Sequence, residues 1–174
     1  METFIYPKEM VKDNAFMEKR SKEAAWLDLS TIDPQIKDII KALQALPHCF
    51  SLQSCDGHII EPRTDGGYLK IDPDPESPAT WLYQIAYLAL VLENSPDGQT
   101  LYQHLAEIPR LDVDFIQFGS AEWFWNTQGF CNSYVIQVCP YKFRHLDRFT
   151  MSAEEAKKWI NARDLFFHEL KRLV

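Results

Sequence analysis

The amino-acid sequence predicts an α+β fold: one domain, with helices packed on a mixed or antiparallel sheet. Three observations lead there. The chain has 174 residues, 46% of them hydrophobic and 25% charged, a composition suited to one globular core. Its apolar pattern switches several times between the helical period and the strand period of two. The resulting order of helices, hairpin, helices, strands and helix lacks the regular strand–helix alternation of a doubly wound sheet.

Each element follows from local residue choice. Residues 9–27 are rich in helix formers and carry a thin apolar stripe of Phe16, Ala24 and Leu27, with Arg20 and Glu23 between. Asp33 then offers a helix cap and Pro34 a first-turn residue. Ile36, Ile39, Ile40 and Leu43 recur at helical spacing up to Pro47. From Cys49 the period changes: Phe50 and Leu52 alternate with Ser51 and Gln53, which predicts a half-buried strand. Asp56-Gly57 is a strong type I′ turn signal, so a hairpin with a return strand at Ile59-Ile60 is expected.

A polar segment with four prolines and Gly66-Gly67 follows, predicting a long loop around 61–79 with a brief strand at 68–71. Residues 79–93 are apolar around most of a helical circumference and predict a buried helix. Ser95 and Pro96 open another, carrying Leu101, Leu105 and Ile108. Strands are expected at 113–118, 122–126 and 134–139, the last a near-continuous apolar run of the kind buried on both faces. Ser152 and Glu155 form a capping box for the final helix, whose stripe is Ala156, Trp159, Ile160, Phe166, Phe167 and Leu170.

Charge narrows the partners. The net charge is −7, and the segment 61–115 carries ten acids against three bases, leaving the remainder neutral. Such an acidic belt disfavours a nucleic-acid partner, which needs clustered Lys and Arg. The nearest approach to a phosphate patch is Lys142, Arg144 and Arg148, with Lys157, Lys158 and Arg163 beyond. The longest apolar segment is too short to span a bilayer. Four scattered cysteines and the absence of a basic, apolar leader predict a cytoplasmic protein with free thiols.

Gly-x-Gly-x-x-Gly, the P-loop, Gly-x-Ser-x-Gly and His-Glu-x-x-His are all missing. The segment with chemistry is Gln53-Ser54-Cys55-Asp56-Gly57-His58. Across a hairpin turn Cys55 and His58 would share one face, and a histidine beside a cysteine stabilises the reactive thiolate. They are the candidate catalytic residues. In an open loop, Gly57 would instead let backbone amides face an anion. Gln53, Ser54, Asp56 and Gly57 are candidate ligand-binding residues. Trp123 and Trp125, on one face of an expected strand, are a candidate stacking platform.

No metal site is expected. Along one strand His48 and Cys49 would lie roughly 20 Å from Cys55 and His58, at ~3.3 Å per residue. That leaves Cys55 and His58 as a lone pair of ligands, short of a structural zinc set.

Residues 16–59 resemble the tRNA methyltransferase family of wybutosine synthesis (the third wybutosine-synthesising protein). That family shows a Leu-Asp-Lys-Ser-like stretch, an acidic residue opening a helix, and a segment ending Ser-Ser-Cys-Ser-Gly-Arg-Ile. The corresponding stretches here are Leu27-Asp28-Leu29-Ser30, Asp33 with its helix, and Gln53-Ser54-Cys55-Asp56-Gly57-His58-Ile59. Ser54, Cys55, Gly57 and Ile59 match; Gln53, Asp56 and His58 differ. Tyr134–Cys139 is similar in outline to a later strand of the family, with Gln137 at the position of its histidine, which adds Gln137 to the candidate ligand residues. The resemblance implies S-adenosylmethionine as cofactor and a small-molecule or nucleotide-like ligand at residues 53–58. The other class in view is a non-catalytic interaction or ligand-binding module that keeps only the scaffold.

Overall fold

The computed structural model describes residues 4–62, 68–70 and 81–174. Among the described residues, five α-helices pack on an antiparallel sheet of seven strands, an α+β architecture. In chain order the elements are β1 (Phe4–Ile5), α1 (Phe16–Trp26), α2 (Pro34–Ala45), β2 (Cys49–Pro62), β3 (Tyr68–Lys70), β4 (Trp81–Leu92), α3 (Pro96–Glu107), β5 (Ile116–Ala121), α4 (Glu122–Thr127), β6 (Ser133–Val138), β7 (Arg148–Met151) and α5 (Ala153–Leu173). The sheet order is β1-β5-β6-β4-β2-β3, with β7 also pairing with β4.

β4 is the axis of the molecule. It pairs with β2 along its length, with β6 over Ala86–Val91 and with β7 over Trp81–Gln84. Strand alternation divides its side chains between two cores. Leu88, Leu90 and Leu92 join the large core with Tyr134, Ile136 and Val138 of β6, the apolar stripe of α2, and residues of α3 and α5. Ala89, Val91 and Val135 face the other way, toward Phe124 of α4 and Phe16 of α1. Arg20 fastens α1 to the sheet edge, donating to the carbonyls of Gln44, Leu46 and Cys49.

Three expectations are corrected. Residues 79–93 are not a helix: Trp81–Leu92 is a strand. A strand covered on both faces is apolar on both faces, so its pattern mimics a helix apolar all round. Residues 122–126 are not a strand but lie in α4, where Phe124 is buried and Trp123 exposed. Asp56-Gly57 makes no hairpin turn: β2 continues through it to Pro62 while pairing with β4. Long-range pairing with β4 overrides the local turn preference. Within the loop expected around 61–79, the brief strand expected at 68–71 is present as β3, which pairs with Ile60–Pro62. The remainder of the segment, 63–67 and 71–80, lies outside the described residues.

Of the other elements, the helix expected over 9–27 spans Phe16–Trp26, the strand expected at 113–118 spans Ile116–Ala121, and β1 and β7 were not expected. Ser152 and Glu155 form both arms of the capping box on α5, and Ser95 accepts from the Gly98 amide at the start of α3. Asp33 precedes α2 as expected, yet its carboxylate makes no cap hydrogen bond. It is directed elsewhere.

Candidate functional site

The polar cluster on β2 exists because the strand is irregular there. The pairing with β4 shifts between Ser51 and Gln53, and Gly57 adopts φ +77°. In a regular strand, residues three apart point to opposite faces. The positive φ breaks that alternation, and Cys55 Sγ lies 3.3 Å from His58 Nε2. Only glycine fits. A Cβ there would stand 2.8 Å from both Ala86 Cβ and Trp159 Cζ2, and 2.9 Å from the Ala86 nitrogen. Trp159 is itself fixed by its indole N–H, which donates to the Val138 carbonyl at 2.9 Å.

Two carboxylates complete the arrangement. Asp56 Oδ1 lies 2.7 Å from His58 Nδ1, an ion-pair contact rather than a well-aligned hydrogen bond. Asp33, arriving from the start of α2, places Oδ2 3.6 Å from His58 Nε2. The same oxygen accepts from the Asp56 amide at 3.2 Å, and Lys70 Nζ of β3 donates to Oδ1 at 2.7 Å. The Gly57 amide points at Cys55 Sγ at 3.4 Å, while the Gly57 carbonyl accepts from Arg163. Ligand atoms of Asp33, Cys55, Asp56 and His58 all lie within 4.8 Å of one another. The expectation of only two potential ligands here is therefore corrected to four.

Burial works against a charged His58, but Asp56 and Cys55 outweigh it and raise its pKa to about 9. The ring is therefore an imidazolium at neutral pH, held between sulfur and carboxylate. Burial also pushes the Asp33 carboxyl upward, yet Lys70, the Asp56 amide and His58 hold it below its ordinary value. A sulfur beside an imidazolium that a carboxylate orients is an arrangement that favours the thiolate form of the cysteine.

A polar cavity of about 250 Å³ lies along the part of β2 that precedes the cluster. Ser51, Leu52, Gln53 and Ser54 form its floor, and Glu23, Trp26, Leu27, Asp28, Thr31 and Ile32 its other wall. Trp26 is 84% exposed, and burial raises the Glu23 carboxyl above its ordinary pKa. Sequence reasoning missed Trp26, Glu23 and Lys70 as site residues, and assigned Asp33 only a cap. A solvent-facing Trp at the end of an amphipathic helix was the available signal for Trp26.

The remaining candidates lie elsewhere. Trp123 and Trp125 sit on α4; Trp125 packs edge-on to Tyr134 beneath Lys8, and neither lines the β2 cavity. Gln137 is buried on β6, donating to the Arg144 carbonyl at 2.9 Å and approaching Gln117 at 3.4 Å. In the suggested phosphate patch, Lys142 pairs with Glu155, Lys158 with Glu154 and Arg163 with Asp164. A larger cavity of about 490 Å³ opens at the opposite sheet edge, lined mainly by apolar groups such as Ile5, Val113 and Phe118. It shares no residue with the β2 cluster. No helix among the described residues is long and apolar enough to cross a membrane.

No family model and no curated protein sequence matches the chain. Among solved structures it is similar to the PH1069 protein from Pyrococcus horikoshii OT3, with TM-score 0.51 and 13% identity over 92% of each chain. A further structure of PH1069 protein from Pyrococcus horikoshii has TM-score 0.46 and 15% identity, covering 91% of this chain and 93% of that one. A hypothetical protein from Aeropyrum pernix has TM-score 0.40 and 13% identity, covering 82% of this chain and 99% of that one. The likeness to the OT3 structure is one of fold.

Proposed function

We propose that the chain is a small enzyme that binds a nucleotide-like ligand at the β2 edge, of the methyltransferase kind implied by the resemblance of residues 16–59. One observation carries this reading. Leu27, Asp28, Gln53 and Ser54, separate in sequence, line the 250 Å³ cavity, and the next residues of the same two segments, Asp33 after the cavity residue Ile32 and Cys55–His58 after Ser54, make the polar cluster. The cavity suits an adenosine-like group. The exposed Trp26 indole provides a stacking face, Glu23 and Asp28 provide acceptors for hydroxyl or amino groups, and Gln53 and Ser54 provide oriented polar side chains. S-adenosylmethionine, when bound, supplies an electrophilic methyl group. His58, held by Asp56, moves a proton at the polar cluster, and Cys55 Sγ is the neighbouring nucleophilic atom.

The second reading, a non-catalytic module, draws on the internal satisfaction of the cluster: Cys55 is only 9% exposed and Lys70 already neutralises Asp33. Calorimetry and thermal shift with S-adenosylmethionine, its demethylated product and simple nucleotides test the proposal. It expects a concentration-dependent rise in Tm, with Kd weakened at least tenfold in Trp26→Ala and Gln53→Ala. Absence of binding by all of these at millimolar concentration contradicts it and leaves the module reading.

A further inference from the structure

We propose that Cys55 Sγ, His58 Nε2 and Asp33 Oδ2 form a three-ligand site for a divalent transition metal, zinc by its donor set. The inference rests on the geometry of these side chains and is independent of the methyltransferase reading. Among the described residues, theirs is the one grouping of three or more potential metal ligands.

The distances fit a tetrahedral ion. With metal–ligand bonds of about 2.0–2.3 Å, neighbouring donors around zinc are separated by roughly 3.3–3.7 Å. Cys55 Sγ and His58 Nε2 are 3.3 Å apart, His58 Nε2 and Asp33 Oδ2 are 3.6 Å apart, and the sulfur and carboxylate lie within 4.8 Å. A small rotation of either side chain brings all three to one centre.

The surroundings match those of a metal-ligating histidine. Such a residue directs its second ring nitrogen to a carboxylate, which fixes ring orientation. Asp56 Oδ1 occupies that place, 2.7 Å from Nδ1. Asp33 is likewise oriented through its two oxygens, by Lys70 on one and the Asp56 amide on the other. The Gly57 amide donates toward the sulfur. A thiolate, an imidazole and one carboxylate select zinc or cobalt over magnesium and calcium, which prefer oxygen ligands throughout. Three protein ligands leave the fourth position to water or substrate, the pattern of catalytic zinc rather than closed structural sites.

Cobalt(II) titration of the 174-residue chain, stripped with chelator, tests the site. The expected result is one equivalent bound with tetrahedral visible bands and a near-ultraviolet thiolate-to-cobalt band, all displaced by zinc, which also raises Tm. Cys55→Ser should abolish the thiolate band, and Cys131→Ser should leave it intact. Asp56→Asn should weaken affinity about tenfold or more, as loss of an orienting carboxylate does. Circular dichroism of each variant separates lost ligation from lost fold. Lack of the thiolate band at one equivalent, or its persistence in a folded Cys55→Ser variant, overturns the proposal. Nucleotide calorimetry in chelator proceeds regardless, so failure of the metal site and failure of the nucleotide site are read separately.

Discussion

Two polar clusters share one rung of the sheet and differ in almost everything else. Cys55 of β2 pairs with Tyr87 of β4, which pairs with Gln137 of β6, which pairs with Gln117 of β5. At one end of the rung stand Asp33, Cys55, Asp56 and His58; at the other, Gln117, Gln137 and Cys139. The second cluster is neutral and its hydrogen bonds close on one another, although Gln117 also lines the 490 Å³ cavity. Cys139 donates to Gln117 Oε1 at 3.2 Å, Gln117 donates back to the Cys139 carbonyl at 2.9 Å, and Gln137 is spent on the Arg144 carbonyl. Burial drives the Cys139 thiol up to about 12. The first cluster holds charges on a continuous strand made irregular at Gly57. Buried amides that satisfy each other serve packing; ionised groups held together at an edge are what a ligand or a proton can use.

The largest effect expected is structural. Gly57→Ala combines a left-handed backbone with a Cβ driven into Ala86 and Trp159, and should cost about 3 kcal/mol. Guanidinium denaturation measures it, and a loss below about 1 kcal/mol would mean that the irregularity at Gly57 is not needed to build the site.

The two clusters should also titrate in different windows. In metal-free protein with chelator present, His58 has a folded pKa of about 9, above its unfolded value near 6.5. Its contribution is therefore full below about pH 6.5 and lost as pH rises through about 9, a fall on the order of 2 kcal/mol. The thiols of Cys139 and Cys49, both raised to about 12, keep their contribution up to about pH 9 and lose it as pH rises through 12. Denaturation between pH 6 and 9 checks the first window, and His58→Gln should flatten it.

Gln137→Ala should cost about 1–2 kcal/mol by leaving Gln117 and the Arg144 carbonyl short of a partner, while leaving ligand and metal binding unchanged. Trp26→Ala should do the reverse: stability within about 0.5 kcal/mol of the parent, with nucleotide affinity reduced. A stability loss in Trp26→Ala as large as that in Gln137→Ala would erase the distinction between the two regions.

How far the sequence discloses these regions depends on where each signal resides. Local signals read correctly: Ser152 and Glu155 cap α5, the stripe Ile36, Ile39, Ile40 and Leu43 is buried on α2, and the apolar run of β6 is covered on both faces. The failures were non-local. Trp81–Leu92 is a strand because β2, β6 and β7 surround it, information absent from its own residues. Asp56-Gly57 shows the same limit: the glycine supplies a positive φ, as the turn signal implied, but uses it to bend a continuous strand. The pairing of Cys55 with His58 was legible from their spacing, although through the wrong geometry. Asp33 and Lys70 were not, since only the chain's return through α2 and β3 brings them to the histidine.

The central claim, that chemistry belongs to the cluster on β2 and not to its neutral counterpart, is tested most directly by the rates at which individual cysteines alkylate in the native protein. Iodoacetamide labelling of the metal-free protein in chelator, mapped by mass spectrometry near neutral pH, should modify Cys55 at least about tenfold faster than Cys139, because the His58 imidazolium stands 3.3 Å from the Cys55 sulfur and favours the reactive thiolate. In His58→Ala that advantage should disappear. Equal labelling of Cys55 and Cys139 in the folded protein, or fast labelling of Cys55 that survives His58→Ala, would contradict the account.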